Sequence, residues 1–389
     1  MTQLPAAHSS CVSDLIPIGE IGGKLGDRTV LTTYGGHSFN LIDKKTGEMY
    51  RRLTMRDDVH YIVLEPDTND FAVLNSEKYI AAKREELFMR QYYQHYGFPW
   101  LAKFGRPAPV LNIWPAEYLG QTHTVKTKHG NWVCDDPNDP QKCYSDKELS
   151  VDLTVASHAG IAGPRVFLLP DLMSGELNGT LCANCYVEGF AVSYFLLALD
   201  VLGWVLDAEC DHILRLGKTV VRDSMVGQAN GGFKSQSRTS STGWLSRSGS
   251  PILQTLYKRF ADVLGLDESR LHEHDLAEQL QVVRYKHGQL YYPHHDFGED
   301  GASGYGQRFL TLLLYVVVPE SGGHTSFPKA FGGRGMKVKP PRRGGAVLFY
   351  NMLPDGNGDD LSLHGGDSVN ADEEKWVCNL WVWDPDKKN

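Results

Sequence analysis

The sequence predicts an α+β fold in which helices come first and an antiparallel β-sandwich or barrel follows. Helical periodicity occupies 207–217 and 251–264, and the second helix ends before Gly265. From Gln279 onward the chain consists of long β-branched and aromatic runs separated by glycine and proline: QLQVVRY, RFLTLLLYVVV, GAVLFY and WVCNLWVW. A block of helices followed by a block of strands is typical of the α+β class, and strands of this kind form a sandwich or a barrel.

The composition is that of a globular protein. The 389 residues are enough for two or three domains, and the 22% of charged residues is too low for general disorder. The net charge of −8 argues against a nucleic-acid partner, which would require a basic face. Residues 1–30 contain no basic segment followed by an apolar one, so no signal peptide is predicted. Nothing in the sequence predicts the oligomeric state.

The N-terminal region, 1–163, is predicted to contain short strands and one helix, and no role follows from its pattern. The helix is predicted from Ser76, its N-cap, to Tyr96. The segment 98–115 holds four prolines and is predicted to be a linker. We place the start of the second unit just before the apolar run VFLL and assign 164–389 to it.

Two cysteines, Cys134 and Cys143, bracket the polar loop DDPNDPQK. A local disulfide, which suits an oxidising compartment, and two free thiols are equally compatible with this arrangement. Seven cysteines in the whole chain are too few for a disulfide-stabilised scaffold.

The candidate chemistry lies in the segment YKHGQLYYPHHD, 285–296. His294 and Asp296 are two residues apart at the end of a predicted strand, where residues i and i+2 project to the same face. His364, in the glycine-flanked turn SLHGGD, is available as a third ligand. Two imidazoles and one carboxylate form the 2-His-1-carboxylate facial triad of Fe(II) oxygenases. A single His-x-Asp pair, by itself, is more often a chance occurrence than a metal site.

Four further residues favour a metal-bound co-substrate. Lys375 opens the strand KWVCNLWVW, and a cation inside an apolar barrel is costly unless it faces an anion. The carboxylate of a co-substrate bound to the same metal would be such an anion. Tyr285 and Thr325 supply hydroxyls that can share this carboxylate, and Arg308, ahead of a deeply apolar run, is predicted to lie at the barrel mouth.

Taken in order, these residues resemble the catalytic domain of the prolyl 4-hydroxylases, which are iron(II)- and 2-oxoglutarate-dependent dioxygenases. Within that family, the plant, algal and transmembrane-type members are the most similar. The resemblance covers roughly 164–385. The matching motifs are Tyr285xxGly288xxTyr291xxHis294xAsp296, Arg308xxThr311xxxTyr315, Gly322-Gly323xThr325, Pro354-Asp355-Gly356, Ser362xHis364 and Lys375-Trp376, preceded by PRVFLL at 164–169, ECDHIL at 209–214 and SRTSS at 237–241.

The resemblance implies a fold, a reaction and a set of site residues. The fold is a double-stranded β-helix, or jelly-roll, flanked by helices. The reaction is C4 hydroxylation of a peptidyl proline with Fe(II), O2 and 2-oxoglutarate, which releases succinate and CO2, while L-ascorbate re-reduces the iron after uncoupled turnovers. The endoplasmic reticulum, where the family is largely found, is the expected compartment. The implied site residues are His294, Asp296 and His364 for Fe(II); Lys375, Tyr285 and Thr325 for 2-oxoglutarate; and Tyr291 and Arg308 for a proline-containing peptide or protein.

The loop before Lys375 departs from the family's pattern. The interval from His364 to Lys375 is one residue longer than usual, and Asp367-Ser368 replaces the usual Cys-Pro. These changes predict a bulged loop.

A second departure is an atypical insertion at about 175–205. Its apolar run, 190–206, carries Asp200 near the middle, which favours a buried helix over a membrane span. The other interpretation, to which we give slight preference, is translated non-coding sequence.

Two alternative functions stay open on the sequence alone. A related dioxygenase would act on another peptide side chain, such as lysine or the target of an oxygen sensor. A catalytically inactive binding module would have no reason to retain Lys375 together with the triad. Iron-dependent succinate release in the presence of a proline-rich peptide distinguishes the three functions.

Overall fold

The chain folds into two compact units, Met1–Arg106 and Pro107–Asn389, in a computed structural model. The residues that the structure describes are 7–11, 17–21, 36–56, 62–64, 71–101, 109, 111–134, 143–145, 148–157, 163–173, 208–224, 238–273, 275–297, 307–339, 342–370 and 373–384.

Within its described residues, the first unit contains an antiparallel sheet of four strands: β1 (Ala7–Cys11), β2 (Pro17–Ile21), β3 (Ser38–Asp43) and β4 (Met49–Thr54). Their order across the sheet is β2-β1-β3-β4. The turn between β3 and β4 starts at Asp43, whose carboxylate accepts hydrogen bonds from the backbone N–H groups of Lys45 and Thr46. It ends at Gly47, where φ is +75°. Both features are ordinary turn chemistry, and they reverse the chain within a short polar segment.

Two helices follow in this unit, the short α1 (Phe71–Leu74) and the longer α2 (Glu77–Tyr96). The Ser76 hydroxyl accepts a hydrogen bond from the Tyr79 N–H at the start of α2, and Gly97 ends the helix in the left-handed conformation. The predicted helix and its N-cap are therefore confirmed. The buried part of its aromatic stripe is Tyr92, which packs against Trp100.

The second unit contains most of the strands. In chain order they are β5 (Thr122–Thr127), β6 (Trp132–Cys134), β7 (Cys143–Ser145), β8 (Leu149–Ser157), β9 (Val166–Leu169), β10 (Arg222–Asp223), β11 (Ser241–Leu245), β12 (Leu280–Tyr285), β13 (Tyr291–His294), β14 (Gln307–Val317), β15 (Thr325–Phe327), β16 (Met336–Val338), β17 (Ala346–Tyr350), β18 (His364–Gly366) and β19 (Lys375–Asp384). The helices of this unit are α3 (Ala208–Val220), α4 (Pro251–Leu264) and the single turn α5 (Ala330–Gly333).

These strands form two main antiparallel sheets. In the described residues the larger sheet has the order β10-β11-β12-β19-β14-β17-β9-β8-β5, and the smaller one has the order β13-β18-β15-β16. Strands β6 and β7 pair separately as a hairpin.

The central strand β14 is buried on both faces, and alternate residues serve different cores. Leu310, Leu312 and Leu314 belong to the core that includes residues of α3 and α4. Leu313 and Tyr315 belong to the core that the large sheet shares with the smaller sheet. The period of two along a strand produces this division. The predicted α+β class with a jelly-roll core flanked by helices is confirmed.

Helices α3 and α4 match the helical segments predicted at 207–217 and 251–264. The Ser250 hydroxyl caps α4 by accepting a hydrogen bond from the Leu253 N–H, and Pro251 occupies its first turn. Gly265 ends α4 at a φ of +66°, as the sequence predicts.

The two compact units divide inside the proline-containing segment 98–115, whereas the sequence analysis starts the second unit at 164. The difference arises because β8 pairs with β9 and β5 pairs with β8, which extends the large sheet. Val151, Leu153 and Val155 of β8 are nearly fully buried in the core of the second unit. Strands β5 and β8 therefore belong to the same core as the strands after 164.

Cys143 is disulfide-bonded, and Cys134 lies directly opposite it in the β6–β7 ladder. Of the two arrangements that the sequence left open, the one with two free thiols is therefore wrong, since Cys143 is bonded.

The atypical insertion at about 175–205 lies outside the described residues. Its described flanks meet at one side chain, because Arg259 donates hydrogen bonds to the Leu172 carbonyl at 3.1 Å and to the Glu209 carboxylate. Leu172 and Glu209, which are described residues on either side of the insertion, are therefore linked through Arg259. None of the helices in the described parts of the chain has the length and apolar character needed to cross a membrane.

The pair Arg259–Glu209 is fully buried, with both side chains 0% exposed. Two hydrogen bonds, of 2.8 and 2.9 Å, join the guanidinium to the carboxylate. Arg259 also donates to the carbonyls of His129 and Gly130, and the Trp132 N–H donates to Glu209. The pair thus ties α3, α4 and the chain before β6 into one unit.

Because breaking a buried pair leaves an uncompensated charge, we expect Arg259→Met to lower the free energy of unfolding by about 3–5 kcal/mol. Urea unfolding followed by circular dichroism measures this. The matched control is Arg270→Met, which removes an exposed pair with Asp275 and should cost no more than about 1 kcal/mol. Equal losses in the two variants would contradict the structural role of Arg259.

Candidate metal centre

The two sheets bring the three predicted metal ligands together. His294 is the last residue of β13, and Asp296 follows two residues later. Strand β18 begins at His364, and the antiparallel register of β13 and β18 places His364 directly opposite His294. The arrangement that the sequence predicted for these three residues is therefore present in the structure.

The distances are suitable for one ion. The Nε2 atom of His294 lies 3.4 Å from Asp296 Oδ1, and the Nε2 atom of His364 lies 3.5 Å from Asp296 Oδ2. One donor atom from each residue lies within 4.8 Å of the other two. Two imidazole nitrogens and a carboxylate oxygen at this spacing fit a 2-His-1-carboxylate iron centre.

Both histidines are held in the tautomer that a metal requires. The Nδ1 of His294 lies 2.9 Å from the Tyr292 carbonyl, and the Nδ1 of His364 lies 2.9 Å from the Ser362 carbonyl. A carbonyl only accepts, so each Nδ1 carries the proton and donates it. Each Nε2 therefore presents its lone pair toward Asp296, which is the usual arrangement behind a metal-binding histidine.

Asp296 is nearly fully buried, and its Oδ2 atom accepts two hydrogen bonds. The Thr311 hydroxyl donates at 2.8 Å and the Trp381 indole N–H donates at 2.9 Å. The Asn351 amide N–H donates to the Thr311 oxygen at 2.9 Å, which directs the single hydroxyl proton toward Asp296. Oδ2 is thus committed to the protein, and Oδ1 has no such donors among the described residues.

The electrostatics keep this cluster ready for a cation. Burial by itself raises the pKa of Asp296, but the positive charge that His364 and His294 carry when they are protonated holds that pKa well below its usual 3.8. Burial lowers the pKa of His364 to about 4, even though Asp296 opposes the shift. At neutral pH the pair is therefore a carboxylate and a neutral imidazole, the forms that bind metal.

Lys375, the first residue of β19, is 2% exposed. Its Nζ lies 5.5 Å from the ring centres of both Tyr285 and Tyr315, within the range of cation–π contacts. Among the described residues, none has a carboxylate within ion-pair distance of Lys375. Burial lowers the pKa of Lys375 to about 8, and Asp367 partly opposes the shift. The cation predicted from the sequence is therefore buried and lacks an anionic partner in the described chain.

The longer loop before Lys375 does not remove the lysine from the site. The Gly323 N–H donates to the Ser368 carbonyl, and the Asp367 N–H donates to the His324 carbonyl, both at 2.9 Å. These bonds attach the loop to the segment just before β15. Lys375 keeps its place opposite Tyr285 in the β12–β19 ladder.

Tyr285 and Thr325 line the same cavity as Lys375. Thr325 also has a neighbour that the sequence did not indicate, Tyr315. The Thr325 hydroxyl lies 2.8 Å from the Tyr315 hydroxyl. Burial raises the pKa of Tyr285 to about 12, so its phenol stays protonated at neutral pH. Both hydroxyls are therefore neutral hydrogen-bonding groups.

All eight predicted site residues line one cavity of about 480 Å³. Tyr291 stacks on His294 with 3.7 Å between ring centres, and the Arg238 guanidinium lies 4.7 Å from the centre of the Tyr291 ring. The wall of the cavity also includes Arg222, Asp223, Arg238, Thr242, Trp244, Gln281, His295, Leu313, Gly365, Gly366, Val377, Asn379 and Trp381.

Arg308 lines the cavity, but its guanidinium is already engaged. It donates two hydrogen bonds to Glu278, of 2.6 and 3.0 Å, and it lies 3.8 Å from the centre of the Trp381 ring. Arg308 thus lies at the cavity, as its position before the apolar run predicts, but its pairing with Glu278 was not evident from the sequence. The role of Arg308 toward a peptide stays a prediction.

Sequence reasoning gave no role to Thr311, Trp381, Asn351 or Arg238. Thr311 belongs to a quoted motif, and Arg238 belongs to the SRTSS turn, so the resemblance marked their positions. Nothing in the sequence pointed to Trp381 or Asn351, which are one tryptophan of an aromatic strand and one asparagine after another strand.

Comparison with known proteins identifies the family. Residues 280–383 match the model of the 2OG-Fe(II) oxygenase superfamily. The chain is similar to probable prolyl 4-hydroxylase 4 of Arabidopsis thaliana, with 33% identity over 46% of this chain and 65% of that protein. It is also similar to prolyl 4-hydroxylase 5 of the same plant, with 34% identity over 54% of this chain and 74% of that protein.

Among solved structures, the chain is similar to a viral collagen prolyl hydroxylase from Paramecium bursaria Chlorella virus-1 in complex with 2OG. The identity is 28%, the match covers 47% of this chain and 93% of that one, and the TM-score is 0.34. The chain spans slightly less than two thirds of the length of the first plant relative. From the match to the second, which covers about three quarters of that enzyme, the chain belongs to the prolyl 4-hydroxylase family of 2OG-Fe(II) oxygenases.

Proposed function

We propose that this protein is an Fe(II)- and 2-oxoglutarate-dependent dioxygenase that hydroxylates peptidyl proline at C4 and releases succinate and CO2. The observation that carries the proposal is the pairing of two features in one cavity. One is the His294–Asp296–His364 cluster, and the other is the buried cation of Lys375, which has no carboxylate partner among the described residues.

The iron would be held by the Nε2 atoms of His294 and His364 and by Asp296. Three protein ligands on one side of an ion leave positions open on the other side. Fe(II) in this site supplies the activation of O2 that is coupled to decarboxylation of 2-oxoglutarate. The contribution of the protein is to fix the three ligands and their tautomers.

Lys375 would bind the distal carboxylate of 2-oxoglutarate. The neutral hydroxyls of Tyr285 and Thr325 would donate hydrogen bonds to that carboxylate. Since Lys375 has been removed from water, an anion that reaches it regains a charge interaction in a low-dielectric site. This supports a dicarboxylic co-substrate that spans from the metal to the lysine.

The peptide would enter from the side of the cavity where aromatic rings are exposed. Trp244, on β11, is 43% exposed, and its ring lies 6.0 Å from that of Trp381. A proline ring has no charge and no N–H, and aromatic walls are the surfaces that recognise polyproline II chains. Tyr291 and Arg308, which line the same cavity, would face the peptide near the metal.

His294→Ala removes one ligand from the metal. We expect a folded protein that loses stoichiometric binding of Mn(II) or Co(II) and also loses iron-dependent succinate release. Calorimetric metal titration and a succinate assay measure the two effects. The matched control is His287→Ala, an exposed histidine outside the cluster, which should behave as wild type. Full metal binding by His294→Ala would refute the proposed iron site.

Lys375→Ala removes the partner of a desolvated carboxylate. Such a loss costs about 3–5 kcal/mol, and about 1.4 kcal/mol is one decade in affinity. We therefore expect the Kd for 2-oxoglutarate to rise at least about 100-fold, measured by calorimetry with Mn(II) in place of iron under anaerobic conditions. An unchanged Kd would show that another group holds the carboxylate.

The pH dependence of 2-oxoglutarate binding gives a second measure of the same lysine. Below pH 8 Lys375 is charged and the affinity should be constant, while above pH 8 binding must take up a proton. The affinity should then fall by up to about tenfold per pH unit. Lys375→Arg keeps its charge throughout this range, so its affinity should not fall with pH.

A panel of peptides that contain proline, lysine or asparagine targets tests which side chain the protein hydroxylates. Mass spectrometry should detect one added oxygen on proline in proline-rich peptides. Trp244→Ala should raise the KM for such a peptide about tenfold, with little change in the KM for 2-oxoglutarate, because an aromatic contact is lost. Tyr118→Ala, which removes a 60% exposed ring outside the cavity, is the control. Oxygen added only to lysine or asparagine would contradict the choice of proline.

A further inference from the structure

The second donor on Asp296, Trp381, is part of a connected set of side chains that the iron site itself does not require. Trp381 is 5% exposed and lies on β19. Its indole N–H can only donate a hydrogen bond, and it donates to Asp296 Oδ2 at 2.9 Å. The guanidinium of Arg308 lies 3.8 Å from the centre of the Trp381 ring.

Arg308 is itself fixed in place. Glu278 accepts two hydrogen bonds from it, and the indole N–H of Trp383 donates to the same carboxylate at 2.9 Å. Because two nitrogens of the Arg308 guanidinium donate to one carboxylate, Arg308 cannot rotate away from the Trp381 ring without breaking a bidentate pair. The indole is therefore held by Arg308 and directed at Asp296.

The hydrogen bonds to the Asp296 carboxylate decide which of its two oxygens can bind an ion. Each carboxylate oxygen accepts about two hydrogen bonds. The Thr311 hydroxyl and the Trp381 N–H together occupy Oδ2, which leaves Oδ1, 3.4 Å from His294 Nε2, free for an ion. Loss of either donor would allow the carboxylate to rotate about its Cβ–Cγ bond and to present either oxygen.

We propose that Trp381, held against Arg308, is a positioning residue for Asp296, and that with Thr311 it makes Oδ1 the metal-binding oxygen. The inference rests on the proposed iron site and adds to it the residues that set its geometry. Trp381 does not touch the metal in this proposal. It acts through Asp296.

The test compares two tryptophans of the same strand. Trp381→Phe keeps an aromatic ring under Arg308 and removes the N–H that reaches Asp296. Trp376→Phe removes an N–H that reaches Glu374, outside this set of side chains, and leaves Asp296 untouched. Outer hydrogen-bond partners of metal ligands are worth about 10- to 100-fold in metal affinity. We expect Trp381→Phe to weaken Co(II) binding by at least about tenfold and to change the Co(II) absorption spectrum, and Trp376→Phe to stay within about twofold with the wild-type spectrum.

The spectrum is the readout that a purely structural role would not move, since it reports the geometry around the ion. Unchanged affinity and spectrum in Trp381→Phe would overturn the proposal, and so would equal losses in both tryptophan variants. If Trp381→Phe does not fold, as judged by its apo melting temperature and near-UV circular dichroism, Thr311→Val serves instead. It removes the other donor to Oδ2, while Thr311→Ser keeps the hydroxyl and should restore the affinity and the spectrum.

The same titration separates this proposal from the proposed function. Loss of Co(II) binding in His294→Ala together with wild-type behaviour of Trp381→Phe would refute only the positioning role. Retention of Co(II) binding in His294→Ala would refute the iron site itself.

Discussion

The centre of the protein depends on one buried carboxylate, Asp296, whose neighbours come from four different strands. β13 leads into Asp296 and ends at His294, β18 begins at His364, β14 supplies Thr311 and β19 supplies Trp381. A charged group that is 4% exposed is costly unless other groups compensate it. Because these partners lie on separate strands, the charge is stable only when both sheets are formed and packed. The folding of the sandwich and the assembly of the site are therefore the same event.

The period of two along the central strands is the means by which an apolar core contains a polar site. On β19, Trp376, Cys378, Leu380 and Val382 face the core with α3 and α4, whereas Lys375, Val377, Asn379 and Trp381 line the cavity. The sequence of the strand is largely hydrophobic because one face is a core and the cavity face includes the apolar side chains of Val377 and Trp381. A shift of register by one residue would exchange the faces, so the helices that cover the outer face also fix which residues reach the metal.

The parts of the molecule that were predicted from the sequence are those set by local spacing. The His294–Asp296 pair follows from i and i+2 on a strand, α4 follows from Ser250, Pro251 and Gly265, and Lys375 follows from the cost of a buried cation. The start of the second unit was placed at 164 because the alternation LSVDLTVAS indicates a half-buried strand but does not indicate which sheet it joins. The contacts of Thr311 and Trp381 with Asp296 span 15 and 85 residues and depend on the registers of β14 and β19. No local pattern contains that information.

The cavity keeps opposite charges apart. Lys375 and Asp296 both line it, yet they do not form an ion pair, and aromatic rings of Tyr285 and Tyr315 give the lysine only partial compensation. Had the two charges paired, each would have satisfied the other, and neither would be available to a ligand. Held separately, the triad can bind a cation and the lysine can bind an anion. Under the proposed function, a dicarboxylic acid that binds the metal at one end and reaches Lys375 at the other supplies the missing interactions together. The energetic cost of leaving Lys375 unpaired is then the source of the selectivity for a second carboxylate, because a monocarboxylic acid of the same length would leave the lysine buried and uncompensated.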